Sequence, residues 1–477
     1  MQLSTSLQQN IALLKNLLPL NKSFDINTRS LYFGKTKAYW IGINGFCNMD
    51  LLQKVFTEVL FSDDVNVTIT DVQVFMESKI GYLQTSVEAD MDTLLRQLLS
   101  GPSFLLIDGF SQAIILDTRS YPTRSIAEPE LEKVARGSKD GFVETLLFNT
   151  NLIRRRIRST ALTFEVHSVG TESKSDVCLA YLNDIVDTKL LKQVQSQLQN
   201  LDVTCLTMGS KSLDELLLKK KMFHPLPSFF MTERPDVACS YLSEGYIIII
   251  VDTSPSVLVL PCCIFQFTQS PEDYYKSPDV GNYLRLVRFG CILLSLLLMP
   301  LFLLLGSNPQ YLPKGISLLP NGDIGPITLF IYVLFMELGL DLFKYASSHS
   351  PSGLGGSFGL IGGLLIGDVA VTLEWASIEV IFYGAATLLT TLGLSSIEFG
   401  EGIRMYRIFL VLCTGFWGLY GFIGGLLLII WSTITTPTFG HKSYIWPLFP
   451  FHWKSLKTLL FRYPTFKAQP TDLKTKK

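Results

Sequence analysis

Residues 284–306 read LRLVRFGCILLSLLLMPLFLLLG, and this stretch decides the fold class of the chain. It is long and apolar enough to cross a bilayer, whose ~30 Å hydrocarbon core requires about 20 helical residues. Further apolar stretches follow at 326–345, 356–374, 376–395 and 407–434. Between 289 and 434 only 12 of 146 residues are Asp, Glu, Lys or Arg, whereas charged residues occur throughout 1–280. The sequence therefore predicts a soluble amino-terminal half followed by an α-helical multi-pass membrane domain.

The soluble half is predicted to be an α+β cytoplasmic region of two small subdomains. In the first, residue periodicity predicts a strand at 38–44 and helices at 49–61 and near 90–100. A strand pair follows at 104–118, where two apolar runs flank a turn.

A polar connector at 121–141 leads to the second subdomain, which is predicted to form a mixed sheet. Its helices are predicted at 142–159, 187–200 and near 211–221, and its strands at 161–168, 176–182, 202–207, 246–252 and 256–267. Pro225, Pro227 and Pro235 indicate a loop before the last strand pair. The predicted domain boundaries are 1–122, 123–280, 281–440 with four to five spans, and 441–477 as a basic tail.

Composition argues against several functional classes. The 40 Lys and Arg residues nearly balance the 41 Asp and Glu residues, which gives no reason to expect a nucleic-acid partner. The eight cysteines form no CxxC pair, and the five histidines are scattered, so no metal site is expected. Motifs of nucleotide, zinc-protease and hydrolase chemistry are missing from the sequence, and we expect neither enzymatic activity nor a cofactor.

The basic run at 154–158, RRRIR, has two interpretations. It could bind phosphate or anionic lipid headgroups. Alternatively, it is the solvated carboxy-terminal end of a helix, where cations complement the helix dipole. We favour the second interpretation.

The distribution of basic residues predicts the orientation of the membrane half. Arg285 and Arg288 precede the first span and hold its start in the cytoplasm. The first 21 residues make a poor signal peptide because Lys15 interrupts their apolar run. The tail is also basic, which places it inside and requires an even number of crossings. We expect four, with either 356–374 or 376–395 shallow or re-entrant, unless the tail breaks the charge rule.

Two sets of small residues are predicted to serve helix packing, because lipid provides no hydrophobic drive for helix association. The first set recurs at every fourth position and consists of Gly355, Gly359, Gly363 and Gly367. The second set contains Gly421 and Gly425, with Gly418 nearby. These glycines could pack helices within one chain. Alternatively, the first set could let the helix that carries it approach a central axis between copies.

Ionisable residues within the apolar stretches are expected to face the interior of the bundle or water, because a carboxylate at mid-bilayer is costly. They are Glu337, Asp341, Asp368, Glu374 and Glu379. Repeated around a symmetric assembly, Asp368 would form an acidic ring that selects cations. Alternatively, Asp368, Glu374 and Glu379 lie at headgroup level in a helical hairpin.

Several long runs resemble the A-subunit family of bacterial spore germination receptors, the GerA type. The runs are RSIAEPELEKVARGSKDGFVETLLFNTNLIRRRIR (124–158), TERPDV (232–237), SPEDYY (270–275), MELGLDLF (336–343), GLIGGLLIGDVAV (359–371) and YIWPLFPFHWKSLKTLLFR (444–462). The resemblance implies a spore inner-membrane location, with the soluble half facing the cytoplasm or spore core. It also implies a homo-oligomer, as a pentamer, with a transporter-like B subunit and a lipoprotein C subunit or accessory germination membrane proteins as partners.

The same resemblance implies a gated channel that releases monovalent cations during germination. Carried over by position, the pore-lining candidates are Phe358, Ile361, Leu365, Asp368 and Thr372. Many family members have a neutral polar residue in place of Asp368, so this sequence departs from the family pattern at that position. The alternative function is a non-conducting scaffold that clusters or anchors receptor complexes. A secondary transporter is a weaker hypothesis, because the apolar stretches show no internal symmetry.

Overall fold

The computed structural model describes residues 1–20, 22–60, 71–119, 132, 134, 136–218, 224–308, 324–349, 377–440 and 443–462. These residues form two compact units, which we describe separately. The amino-terminal unit comprises Met1–Lys219 and Phe229–Pro261, and the helical unit comprises Lys220–Ser228 and Cys262–Ala468.

The first half of the amino-terminal unit contains a five-stranded antiparallel sheet in the order β1-β2-β4-β5-β3. Its elements are α1 (Leu7–Leu17), β1 (Ile26–Phe33), β2 (Thr36–Ile43), α2 (Met49–Leu60), α3 (Val72–Lys79), β3 (Thr85–Glu88), α4 (Met91–Leu98), β4 (Ser103–Ile107) and β5 (Ala113–Leu116). Both faces of the sheet are covered. Leu94 and Leu98 of α4 belong to the apolar cluster on one face, and Val55 of α2 with Phe75 of α3 to the cluster on the other.

The second half of the amino-terminal unit contains another five-stranded antiparallel sheet, in the order β6-β7-β9-β10-β8. Its elements are α5 (Leu146–Arg156), β6 (Leu162–Val169), β7 (Ser175–Leu182), α6 (Thr188–Gln199), α7 (Ser210–Leu218), β8 (Phe230–Thr232), α8 (Pro235–Ser243), β9 (Ile247–Val251) and β10 (Val257–Leu260). All residues of β9 and β10 are buried, which explains their continuous apolar sequence.

The structure corrects three predictions for this second sheet. The sheet is antiparallel throughout its described pairs, so the mixed sheet is wrong. Residues 202–207 form no strand, because the carbonyls of Val203 and Thr204 accept hydrogen bonds from the turn after β6 instead. The last strand ends at Leu260 rather than at 267, since Pro261 has no N–H group to continue the ladder.

Among its described residues, the helical unit contains a 3₁₀ helix at Ile264–Thr268 and six α-helices. Its α-helices are α9 (Pro271–Tyr275), α10 (Pro278–Ser307), α11 (Pro326–His349), α12 (Ile378–Leu392), α13 (Ile397–Ile434) and α14 (Trp453–Leu460). Among the described helices, α10 and α13 are long and apolar enough to cross a membrane, by length and composition.

Helix α13 is not one straight rod, because the backbone reverses at Gly418. This glycine has φ 56° and ψ −133°, a conformation that a residue with a Cβ rarely adopts. The Tyr406 and Ser432 hydroxyls are 2.8 Å apart, although a straight helix would separate residues 26 positions apart by about 39 Å. The single span predicted at 407–434 is therefore corrected to a hairpin, with arms at 397–417 and 419–434.

Contacts within the helical unit also establish how α12 and the segment after α13 run relative to α10. Helix α12 runs antiparallel to α10, since the rings of Phe302 and Tyr383 are 4.4 Å apart and the hydroxyls of Ser295 and Thr391 are 3.1 Å apart. Near the start of α10, Asn282 Oδ1 accepts a hydrogen bond from the Arg462 backbone N–H over 2.6 Å. The segment after α13 thus returns to the start of α10.

Candidate functional site

A buried ion pair lies at the centre of the helical unit. Arg407, on the first arm of α13, donates from Nε to Glu337 Oε1 over 2.7 Å and from Nη2 to Glu337 Oε2 over 2.9 Å. Both side chains are only 2% exposed. Two parallel charge-assisted bonds give the pair strength and a fixed geometry.

Two further helices complete the surroundings of this ion pair. Arg407 Nη1 donates to the Ser295 carbonyl oxygen of α10 over 2.9 Å, and the Ser295 hydroxyl contacts Thr391 of α12. Removing charges from water costs several kcal/mol per ion unless partners satisfy them. The guanidinium therefore links α10, α11, α12 and α13 at one level of the bundle, and we call Arg407, Glu337, Ser295 and Thr391 the central network.

The seam between α11 and α13 contains two more ion pairs. Arg404 Nη1 lies 3.1 Å from Asp341 Oδ1, and Lys344 Nζ lies 3.2 Å from Glu401 Oε1. Exposure increases along this series, from the buried central network to the exposed Lys344–Glu401 pair. A shift of one helical turn in either direction would bring like charges together, so the charge order fixes the register of the two helices.

The expectation that ionisable residues face the interior is confirmed for Glu337, and Asp341 is partly buried beside it. Glu379 lies partly exposed in the first turn of α12. Other candidates lie outside the described residues, namely Phe358, Ile361, Leu365, Asp368, Thr372, Glu374, Gly355, Gly359, Gly363 and Gly367. Sequence reasoning missed Arg407 as the partner of Glu337, although a lone arginine at the edge of an apolar stretch was a usable signal.

The second set of glycines lies between the two arms of the α13 hairpin. A Cβ at Gly421 would overlap the Cys413 carbonyl oxygen, and one at Gly425 would lie 2.9 Å from Leu410 Cδ1. Gly424 has no neighbour within 4 Å of such a Cβ. Gly421 and Gly425 thus face the other arm of the same chain in this structure.

A second ionic cluster surrounds Asp273, just before α10. Its carboxylate is fully buried and accepts from Arg288 Nη1 over 2.8 Å and from Arg288 Nη2 over 3.0 Å. Arg285 approaches the same carboxylate at 3.4 Å and lies 5.2 Å from the centre of the Tyr274 ring. The two arginines that were expected only to mark the membrane boundary therefore also fix α9 against α10.

The basic run at 154–158 is largely structural. Arg154 is 1% exposed and donates to Asp25 over 2.9 Å and to the carbonyl oxygens of Ser159 and Leu162. Arg156 pairs with Asp140 at 2.5 Å. The predicted structural role is favoured, but burial of Arg154 shows that the run is not simply a solvated helix end.

The sequence as a whole is similar to known proteins. A profile described as Bacillus/Clostridium GerA spore germination protein matches residues 13–472. The chain belongs to the GerA family. Stage V sporulation protein AF of Bacillus subtilis (strain 168) is 32% identical over 459 residues, covering 96% of this chain and 93% of the relative. Spore germination protein B1 of the same strain is 30% identical over 479 residues, covering 99% and 98%.

These similarities confirm the family and the particular resemblance to stage V sporulation protein AF, which the runs at 23–34 and 447–464 indicate. The named relatives are a sporulation protein and a spore germination protein. Among solved structures, the amino-terminal domain of the A subunit of the Bacillus megaterium spore germinant receptor GerK3 is 25% identical, with a TM-score of 0.42. That match covers 54% of this chain and 96% of the GerK3 domain.

Proposed function

We propose that this GerA-family protein is a multi-pass subunit of a spore germination complex and that copies assemble into a gated path for monovalent cations. Membrane placement is supported best by the outer surface of the helical unit, which is apolar although the charged Arg407–Glu337 pair is buried inside. Large apolar side chains are exposed on the same helices, including Leu293, Ile331, Phe335, Leu338, Phe382, Leu389 and Leu427. Such a surface is costly in water and favourable in hydrocarbon.

We propose six crossings rather than four. Helices α10, α11 and α12 and the two arms of α13 make five passages through the bundle, and the start of α10 lies at the same end as Arg462. When the start of α10 and Arg462 lie on the same side of the membrane, the number of crossings between them is even. The stretch 356–374 would therefore supply the sixth crossing. The first arm of α13 is about 30 Å long at ~1.5 Å per residue, close to the ~30 Å hydrocarbon core.

The charge distribution supports an orientation with the start of α10 and the tail inside. Arg285, Arg288 and Arg462 lie together at one end of the bundle. Basic residues are retained on the cytoplasmic side of membranes. In a dormant spore, this orientation would place the soluble half on the core side of the inner membrane.

The conducting path would lie between copies rather than within one bundle. The central network and an apolar cluster of Met299, Phe302, Val333, Val380 and Val411 fill the interior of the described helices. The glycine stretch 355–367 would let helices from neighbouring copies approach closely around an axis. Ile361 and Leu365 would form an apolar barrier that dewets when closed, with Asp368 as an acidic ring.

A trigger from partner subunits would open this path by biasing two discrete packings of the helices. By family analogy, the partners would be a transporter-like B subunit and a lipoprotein C subunit, or accessory germination membrane proteins. A pentamer of the chain would form the ring.

Potassium flux through vesicles tests the channel proposal. The purified chain, with its partners if required, is reconstituted, and Ile361→Ser and Leu365→Ser are expected to raise the resting leak because they hydrate the barrier. Leu427→Ser is the matched control, since Leu427 is 62% exposed on the second arm of α13. Equal leak in all variants, or a monomeric mass in detergent, would overturn the channel.

The alternative is a non-conducting scaffold that clusters or anchors receptor complexes. Because the interior of the bundle is filled, conduction requires a ring of copies around the 355–367 stretch. If copies do not form that ring, the scaffold is the favoured function. Oligomers without potassium flux, together with loss of receptor clustering in spores that lack the chain, would support the scaffold.

A further inference from the structure

An exposed group of large apolar side chains lies in the segment that follows α13. We call Leu448, Phe449, Phe451 and Trp453 the aromatic patch. Their exposed fractions are 47%, 65%, 65% and 62%, and the rings of Phe451 and Trp453 stack with centroids 6.2 Å apart. Four such residues within six positions would be a costly arrangement in water.

The segment that carries the aromatic patch is fixed to the helical unit on both sides. Before the patch, the buried Tyr444 hydroxyl donates to the Pro227 carbonyl over 2.9 Å, and the Tyr444 carbonyl accepts from Ile264 N–H over 2.9 Å. After it, Leu456 of α14 packs with Cys263 and Phe265. The exposed side chains of the patch are therefore carried by a backbone segment that is ordered on both sides.

Contacts between α14 and α10 place the segment at the level where α10 changes from charged to apolar. Arg285 Nη1 donates to the Leu459 carbonyl over 3.1 Å, and Asn282 Oδ1 accepts from the Arg462 N–H. Arg288 is the last charged residue of α10, and 289–307 contains none. If α10 crosses a bilayer, this level corresponds to the boundary between headgroups and hydrocarbon.

The charges beside the aromatic patch are basic. Lys454 and Lys457 are exposed on α14, one turn apart. Across 441–477 the sequence has eight Lys and Arg residues and a single acid, Asp472. Lysines with apolar neighbours extend along apolar surface and keep their ammonium groups at a polar boundary.

We infer that the aromatic patch inserts into the interfacial layer of the bilayer, while Lys454 and Lys457 contact anionic phospholipid headgroups. Trp concentrates at this layer because an apolar ring with a polar edge suits it. Phe and Leu beside Trp453 add apolar area that is buried on insertion, and lysines near the layer attract anionic lipid. A second copy on the same patch would bring lysines of like charge together, which disfavours that occupant. The inference rests on the membrane placement proposed above.

Photocrosslinking of the full chain in phosphatidylglycerol vesicles tests this inference. Phe449 is replaced by p-benzoylphenylalanine, and adducts are identified by mass spectrometry. We expect lipid adducts at 449. The same replacement at Leu427 is the control for membrane placement, and Leu83, 96% exposed in the amino-terminal unit, is the control for a water-facing site.

The outcomes separate the two proposals. Lipid adducts at 427 but not at 449, or adducts at 449 to a second copy or another protein, would overturn the interfacial anchor alone. If lipid adducts form at neither 427 nor 449, membrane placement is overturned as well.

Headgroup recognition has its own readout. In mixed phosphatidylglycerol and phosphatidylcholine vesicles, Lys454→Gln and Lys457→Gln should each lower the anionic share of the adducts at 449, by roughly fivefold. Lys344→Gln is the control, because Lys344 pairs with Glu401 on the bundle. An unchanged adduct ratio in the Lys454 and Lys457 variants would overturn the headgroup contact.

Discussion

Each of the two compact units buries an arginine against a carboxylate, but the two pairs hold different things together. In the amino-terminal unit, Arg154 of α5 meets Asp25 just before β1, and both are 1% exposed. In the helical unit, Arg407 meets Glu337 at 2% exposure. The first pair joins two sheets that each have an apolar core, whereas the second joins helices whose outer surfaces are apolar.

The difference teaches where a buried ion pair is needed for assembly. Apolar burial already drives each sheet of the amino-terminal unit to fold in water, so Arg154 fixes how one half meets the other. Lipid supplies no comparable drive between helices, and interhelical hydrogen bonds contribute directly to association. We therefore expect the central network to matter more for the integrity of its unit.

The largest expected effect is that of Arg407→Met, which leaves the Glu337 carboxylate buried without its partner. Loss of one member of a buried pair costs about 3–5 kcal/mol. Denaturant unfolding of the purified chain in detergent measures this loss as a reduced free energy of unfolding. Combining Arg407→Met with Glu337→Leu should recover most of it. Arg404→Met is the matched control, because its pair is partly exposed and contributes about 1 kcal/mol or less. Equal losses in the two single variants would contradict the comparison.

Arg154→Met should loosen the junction between the two sheets, at a cost of about 3 kcal/mol. Hydrogen exchange measures this at the Phe24 and Phe164 amides, because Phe24 N–H donates to the Phe164 carbonyl and Phe164 N–H donates to the Ser23 hydroxyl. Faster exchange confined to these amides is expected.

Adding Asp25→Asn should rescue the junction only in part, since the Ser159 and Leu162 carbonyls still lack their donor. Arg119→Met, at a partly exposed pair with Asp117, should leave exchange at the junction unchanged. Full rescue by the double variant would show that charge, rather than the carbonyl contacts, dominates the junction.

A smaller effect is expected at the α13 hairpin, where the backbones of the two arms lie close together. Gly421→Ala forces a methyl group onto the Cys413 carbonyl and should cost about 1–3 kcal/mol, as overpacking does. Gly424→Ala meets nothing within 4 Å and should be neutral or slightly stabilising, because alanine favours helix. Thermal unfolding in detergent compares the two variants, and an equal change would refute the close approach of the arms.

The last effect, which is confined to one pH window, concerns the amino-terminal unit. Burial raises the pKa of Glu132 to about 7 from an ordinary 4.5, although bonds from the Thr232 hydroxyl and the Glu233 N–H oppose the shift. The folded unit thus holds this proton more tightly than the unfolded chain, so its stability falls as pH rises from 4.5 to about 7. In urea unfolding at several pH values, Glu132→Gln should reduce this loss of free energy of unfolding between pH 4.5 and about 7. The same substitution at the exposed Glu77 should not reduce it. An unchanged pH slope in Glu132→Gln would exclude Glu132 as its source.

The sequence predicted elements better than it predicted their partners. Strands were predicted at 161–168, 176–182 and 246–252, each bound within one residue of the observed Leu162–Val169, Ser175–Leu182 and Ile247–Val251, because these segments are short and bounded by turns. The pairing of β2 with β4 and of β7 with β9 joins strands that other elements separate, and local periodicity carries no information on such pairs. Glu337 was expected inside the bundle from the cost of its charge, but the identity of Arg407 as its partner required the fold.

What the sequence determined by itself is the division into a charged half and an apolar half, the family, and the concentration of basic residues near 285–288 and in the tail. These follow from residue type and order, which set local hydration and propensity. Only the tertiary structure decided that 407–434 reverses at Gly418 and that three charged pairs align α11 with α13. Hydropathy measures how apolar a stretch is but not its direction, and direction depends on contacts between residues far apart in the chain.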